Sequence, residues 1–268
     1  MITKAKIKLI RGLERKKGRL EEGLFVAEGP KLVGELLTAG HHPNYVAATE
    51  EWLAANKALL KGTSADIITD EELRRASLQQ HPQSVIALFP IPKWEARMAD
   101  IASKELCLAL DGVQDPGNLG TITRLADWFG IHHIFCSPDT ADIFNPKATQ
   151  ATMGAIARVQ VHYIDLVAEL RSLGQKDCGS SSLPLKGELE GVPIYGTFLD
   201  GDIIYDQPLS PNGVIIMGNE GRGITKEAAA LVSHRLYIPS YPADRATVES
   251  LNVAIATAII CAEFRRRA

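Results

Sequence analysis

Residues 214–225, VIIMGNEGRGIT, set Gly218, Gly221 and Gly223 around one carboxylate, Glu220, at the end of an apolar run. Glycines after a buried strand let the backbone turn sharply or let a ligand come close, and such loops often hold phosphates. The spacing here is GxxGxG. It matches neither the dinucleotide fingerprint GxGxxG nor the phosphate loop GxxxxGK[ST], and a carboxylate inside the loop would repel a phosphate. A second glycine turn, DPGNLG at residues 115–120, follows another apolar run and leads into Arg124. Asp115-Pro116-Gly117 reads as a turn, with Asn118 at a helix N-cap. An arginine near a helix start, beside the carboxyl end of a strand, can grip a phosphate through its planar fork. In the plainer alternative Asn118 only caps and Arg124 is solvated. Further on, Ser250 reads as a helix N-cap and Asn252 as a first-turn residue.

The elements that must carry these residues follow from the apolar pattern. From Leu106 onward, LCLALDGV, IHHIFCS, RVQVHYI, VPIYGTF, GVIIMG and RLYIPS are strand-like, and TITRLADWFG, PKATQATMGAIA, DLVAELRSLG and TKEAAALVSH are helical. Such alternation predicts an α/β fold with a mostly parallel sheet covered by helices on both faces. Ligands in such sheets bind beyond the carboxyl ends of the strands, where both glycine turns fall. Residues 1–90 alternate helix and strand as a smaller α/β unit, including IKLIRGLERKK as a helix and LFVAEG as a strand. Residues 91–104 read as a linker and 105–268 as the second domain. QKDCGSSSLPLKGELEG, residues 175–191, reads as an exposed loop or insertion.

Composition bounds the rest. A chain of 268 residues, 46% hydrophobic and 23% charged, is ordinary globular material. Its apolar runs fall short of a membrane span and its start lacks a signal-peptide core, so a cytoplasmic protein is expected. Cys107, Cys136, Cys178 and Cys261 form no CxxC pair, and are expected to be reduced and buried. His41-His42 and His132-His133 are adjacent pairs that would point to opposite faces of a strand, so no metal site is expected. The net charge of −3 conceals a basic segment: Lys4, Lys6, Lys8, Arg11, Arg15, Lys16, Lys17 and Arg19 stand against Glu14 alone. Such a patch can attract a polyanion whatever the total charge, or can be a solvated helix face.

DGVQDPGNLGTITRLADWFG, IIMGNEGRGI and IPSYPADRATVESLNVAIATAI, in that order, resemble the three motifs of the SpoU (TrmH-like) family of SPOUT RNA methyltransferases. LERKKGRLEEGLFVAEGPKLV is similar to the ribosomal-protein-like substrate-binding domain that often precedes the catalytic one. The resemblance implies transfer of a methyl group from S-adenosylmethionine to a ribose 2′-OH of ribosomal or transfer RNA. It further implies a C-terminal trefoil knot, a homodimer, and active-site roles for Asn118, Arg124, Glu220, Ser250 and Asn252. Backbone at Gly218, Ile238 and Leu251 would contact the cofactor, and Lys4, Lys8, Arg11, Arg15, Lys16, Lys17 and Arg19 would contact RNA. A guanidinium stays protonated at neutral pH, so Arg124 could accept the hydroxyl proton only in a special environment, such as one involving the RNA phosphate. S-adenosylmethionine also gives Glu220 a rationale, because the donor is cationic and carries no phosphate. The third motif departs from the family pattern: the stretch between Ile238-Pro239 and Ser250 is longer and lacks the usual glycine. That departure leaves a second expectation open, an RNA-binding or ribosome-assembly protein that keeps the fold without the chemistry.

Overall fold

The computed structural model describes residues 1–174, 191–242 and 250–267. Most of the predicted loop 175–191, with Cys178, and residues 243–249 of the third motif lie outside them. In chain order the first elements are α1 (Lys4–Gly12), α2 (Lys16–Glu22), β1 (Leu24–Glu28), α3 (Pro30–Thr38), β2 (Tyr45–Ala48), α4 (Glu50–Asn56), β3 (Ser64–Ile67), α5 (Asp70–Ala76) and β4 (Val85–Pro90). After them come α6 (Met98–Ala102), β5 (Leu106–Asp111), α7 (Pro116–Trp128), β6 (His133–Cys136), α8 (Pro146–Ala151), β7 (Gln160–Tyr163) and α9 (Leu166–Gly174). The last are β8 (Ile194–Ile203), β9 (Gly213–Gly218), α10 (Lys226–Ala229), β10 (His234–Tyr237) and α11 (Val253–Arg266). The chain forms two compact units. One holds Met1–Lys93, Pro116–Arg124 and Ala141–Arg158; the other holds Trp94–Asp115, Leu125–Thr140 and the chain from Val159 onward.

The first unit is built on a four-stranded sheet of order β1-β4-β2-β3, antiparallel except for β2 with β3. Val26, Tyr45, Ala47, Ile86 and Leu88 pack there against Ile10 and Leu13. Pro30 opens α3, where a fixed φ and a missing N–H cost nothing, and Leu32, Val33, Leu36 and Leu37 form its buried stripe. The single helix expected over IKLIRGLERKK is two. Leu13 turns inward to the core at the break, and a Cβ on Gly18 would overlap the Gly12 carbonyl, so the start of α2 crosses close to the end of α1. The helix expected over 146–157 also stops early, at Ala151. Met153 and Gly154 adopt left-handed φ of 53° and 101° before a short 3-10 turn, which a continuous α-helix cannot contain.

The second unit is a six-stranded sheet, β10-β8-β9-β5-β6-β7, in which every pairing is parallel. Both β5 and β9 are buried along their whole length, which is why LCLALD and GVIIMG are continuous apolar runs and do not alternate. On one face Cys107, Ala109, Val214 and Ile216 pack with Met98 and Phe135. The stretch read as a linker contains α6, whose Met98 and Ala102 are buried, and the Met98 amide donates to Glu169 at 3.3 Å. Cys107, Cys136 and Cys261 are free and buried, and burial pushes all three thiols up, Cys261 to about 12. Among the described residues, no helix is long and apolar enough to cross a membrane.

Candidate active site

Because β5, β9, β8 and β10 run parallel, their carboxyl ends lie along one edge of the sheet, and the chain leaves that edge at Gly112, Asn219 and Ile238. The glycine loop after β9 is closed by its own backbone: the Asn219 amide donates to the Gly223 carbonyl (3.0 Å) and the Gly223 amide donates to Asn219 (2.9 Å). The Asn219 side chain sits at the centre of the loop. Its Oδ1 accepts from the amides of Gly221 (2.9 Å) and Arg222 (3.0 Å), and its Nδ2 donates to the Gly112 carbonyl (2.7 Å). One side chain therefore shapes the loop and ties it to the turn after β5.

The three glycines are not equivalent. A Cβ on Gly218 would overlap the backbone of Gly223 and Ile224, so glycine is required there by the loop's own closure, before any ligand is considered. Gly223 has a left-handed φ of 70°, whereas a Cβ on Gly221 would meet only Asn219 Oδ1, at an ordinary 3.6 Å. Glu220, at the tip, is exposed.

A second set of contacts supports the same edge. Asp111, buried at the end of β5, accepts from the amide (2.7 Å) and hydroxyl (2.8 Å) of Thr225, whose hydroxyl in turn caps α10. Ser137 Oγ accepts from the Gly112 amide (2.9 Å) and donates to Asp139 Oδ1 (2.6 Å). Asp139 pairs with exposed Arg222 at 3.3 Å. Asn219, Asp111 and Ser137 were not singled out from the sequence. The available signal was a short polar side chain directly after or at the end of an apolar run, a position where Asn, Asp and Ser commonly bond backbone.

Two sequence expectations about helix starts are corrected. α7 begins at Pro116, with proline at the first helical position, so Asn118 lies within the first turn and is not the N-cap. Leu119, Ile122, Thr123 and Ala126 form the buried stripe of α7, and Arg124 is exposed. Six residues at 3.6 per turn put the Asn118 and Arg124 side chains about 120° apart around the axis, so the two do not share a face. At α11 the N-cap is Asn252, whose Oδ1 accepts from Ala254 (3.0 Å) and Ile255 (3.3 Å), and Ser250 lies before the helix. Asparagine here offers two amides one acceptor, which a first-turn residue cannot do. Leu251 is exposed next to it, and Ile238 is half-buried directly after β10.

The basic segment also needs one correction. Lys4, Lys8, Arg11, Arg15, Lys16 and Lys17 are exposed, but Arg19 is only 2% exposed. Its guanidinium donates to Asp142 Oδ2 (2.6 and 3.1 Å) and to the carbonyls of Leu13 (2.8 Å) and Glu14 (2.7 Å). Its guanidinium is committed to bonds within the first unit, which sets it apart from its exposed neighbours.

Residues 105–262 match the model of the SpoU rRNA Methylase family, and residues 4–87 match the MRM3-like substrate binding domain. The chain belongs to the SpoU rRNA methylase family. It is 29% identical to the 23S rRNA guanosine 2′-O-methyltransferase RlmP of Bacillus subtilis, over 97% of this chain and 96% of that one. Among solved structures, a TrmH-family protein from Porphyromonas gingivalis is 39% identical, with a TM-score of 0.83 over 100% of both chains. An AdoMet-bound rRNA methyltransferase from Sinorhizobium meliloti is 30% identical, with a TM-score of 0.80 over 100% of this chain and 96% of that one.

Proposed function

We propose that this SpoU-family chain transfers the methyl group of S-adenosylmethionine to a ribose 2′-hydroxyl of ribosomal RNA. The observation that carries the reading is the Asn219-stapled glycine loop, at the carboxyl edge of a parallel sheet, with a carboxylate where a phosphate loop would have none. S-adenosylmethionine, when bound, supplies a methyl group on a positively charged sulfur. The chain's own contribution is to align donor and acceptor and to hold the anionic RNA. The loop backbone around Gly218, with Ile238 and Leu251, would hold the cofactor, and exposed Glu220 is compatible with its positive charge. Arg124 would grip an RNA phosphate and fix the ribose. Asn118, Ser250 and Asn252 complete the set proposed from the motifs.

Several wider features follow from the same reading. Residues 1–90 would bind substrate, joined through 91–104 to a catalytic domain over 105–268, in a cytoplasmic homodimer. A homodimer is supported by apolar side chains left on the surface of the second unit, Trp128 (83% exposed), Ile255 (53%) and Leu251 (47%). A trefoil knot is supported by the path of the chain: β10 pairs outside β8, and α11 then returns to pack on β9.

Calorimetric titration of the purified protein with S-adenosylmethionine and with S-adenosylhomocysteine tests the cofactor assignment. Saturable binding of both is expected. A folded protein that binds neither at millimolar ligand would favour the RNA-binding or ribosome-assembly alternative over the enzyme.

A further inference from the structure

The first unit contains a cavity of about 360 Å³, near the lower end of the ~300–1,000 Å³ typical of small-ligand sites. Its apolar lining comes from Val26 of β1, Leu78 after α5, and Pro146 and Ala151 of α8. Glu28, Gln79, Gln150 and Lys147 complete the lining. Gln79 Nε2 donates to Gln150 Oε1 at 2.8 Å. Whichever way the two amides are assigned, that bond uses one donor and one acceptor. One amide oxygen and one NH₂ group therefore remain for a ligand.

Glu28 is 4% exposed, and its two carboxylate oxygens accept from the Ser77 hydroxyl and the Leu78 amide. Each oxygen keeps a second lone pair, so the carboxylate is anchored without being saturated. Burial pushes it above the usual carboxylate range. An apolar slot with side-by-side donor and acceptor groups suits a flat heterocycle with a polar edge. Unpaired RNA offers such a group, because its bases can be splayed out and read on their edges.

Charge on a connected element favours RNA over an uncharged ligand. Arg19 of α2 is bonded to Asp142, four residues before Pro146, so α2 is fastened to the segment that leads into α8. Arg15, directly before α2, and Lys16 and Lys17 at its start are exposed. Lys147, also exposed, lines the cavity. A phosphate flanking a bound base would meet Lys147, and the other exposed cations of the same unit would add longer-range attraction.

We propose that this cavity receives an unstacked nucleobase of the RNA substrate, read on its edge by the Gln79–Gln150 amide pair. The proposal rests on the reading that the protein acts on RNA. In the full chain with methyl-labelled Val and Leu, each of the four nucleoside 5′-monophosphates is titrated at millimolar concentration. At least one is expected to shift the Val26 and Leu78 methyl resonances saturably. Gln79→Ala and Gln150→Ala should each weaken that binding about 10-fold, the scale of one lost hydrogen bond. The same variants should raise KM for ribosomal RNA with kcat and S-adenosylmethionine affinity unchanged. Unmoved methyl resonances, or equal affinity in wild type and variants, would overturn the proposal. If the wild type methylates RNA and the variants keep its KM, the cavity assignment fails and the enzyme assignment stands. If the wild type methylates no RNA, the enzyme assignment fails, and the titration still decides whether the cavity binds a base.

Discussion

At the carboxyl edge of the large sheet, Asn219, Asp111 and Ser137 each bond backbone, and together they fix the glycine loop and its flanks, with Glu220 exposed at the tip. Along α1 and α2 the pattern is reversed. Most of the basic side chains face water, and only Arg19 is enclosed, by Asp142 and two carbonyls. In the first region the proposed cofactor site would depend on a scaffold of fixed backbone, so single substitutions should act through geometry. In the second, the proposed attraction of RNA would depend on summed charge, so single substitutions should have little effect, with Arg19 as the exception. Two basic residues two positions apart therefore differ in surroundings: Lys17 faces water and Arg19 is held inside the fold.

Five substitutions can break that contrast, beginning with the largest expected effect. Arg124→Ala should lower methyl transfer to ribosomal RNA by about 10³-fold, the scale of removing one group that holds developing or fixed charge at a reaction centre. Its melting temperature should stay within a few degrees of wild type, because the side chain is exposed; near-normal turnover would remove Arg124 from the mechanism. Arg19→Ala should destabilise the protein by about 3 kcal/mol in urea unfolding, because it removes one partner of a mostly enclosed ion pair and the donors to the Leu13 and Glu14 carbonyls. Lys17→Ala, whose 3.7 Å pair with Glu21 is exposed, should cost under ~0.5 kcal/mol. Equal losses at Arg19 and Lys17 would erase the distinction drawn within the basic segment. In the glycine loop, Gly218→Ala should weaken S-adenosylmethionine binding at least 10-fold by calorimetry, because the new Cβ overlaps Gly223. Gly221→Ala should leave it nearly unchanged, and parallel losses would mean that the ligand, and not the loop's closure, sets the need for glycine.

Acid extends the comparison to the two units. His162, on β7 of the second unit, stacks on His133 and Phe135, and its Nε2 lies 3.1 Å from His133 Nδ1. Burial and then the charge of His133 push it down from 6.5 to about 4. His133 is also lowered by burial, against the opposing pull of Glu105. A histidine held neutral in the fold binds fewer protons than in the unfolded chain. Its stabilisation is therefore full above pH 6.5 and declines as pH falls towards 4, by about 2 kcal/mol at most at pH 5. Glu28 in the first unit has the opposite sign. Its raised value favours the protonated folded form, so its contribution is full below 4.5 and is lost as pH rises through the folded value. Hydrogen exchange at pH 7 and pH 5 should show β7 losing protection while β1 does not. Equal loss in both strands would contradict the assignment.

Much of this was legible in the sequence. The parallel sheet could be read because β5 and β9 are buried on both faces and so are uninterrupted apolar runs. The family could be read because three motifs kept their order. What could not be read was decided by contacts distant in sequence or by a single residue's position. The helix expected over IKLIRGLERKK breaks because Leu13 is drawn into the first unit's core. Arg19 looks like its basic neighbours until Asp142, more than a hundred residues later, is seen beside it. The starts of α7 and α11 differ from the sequence expectation by three and two residues, because proline suits the first helical position and Asn252 caps two amides at once. Asn219 was hidden inside a motif read for its glycines and its carboxylate.

The most direct test of the account is to incubate the protein with large-subunit ribosomal RNA transcribed without modifications and S-adenosylmethionine labelled on its methyl group, and then to map the label. The account predicts label on a ribose 2′-oxygen, present with wild type and lost with Arg124→Ala. Label on a base, or no label with protein shown to be folded, would contradict it.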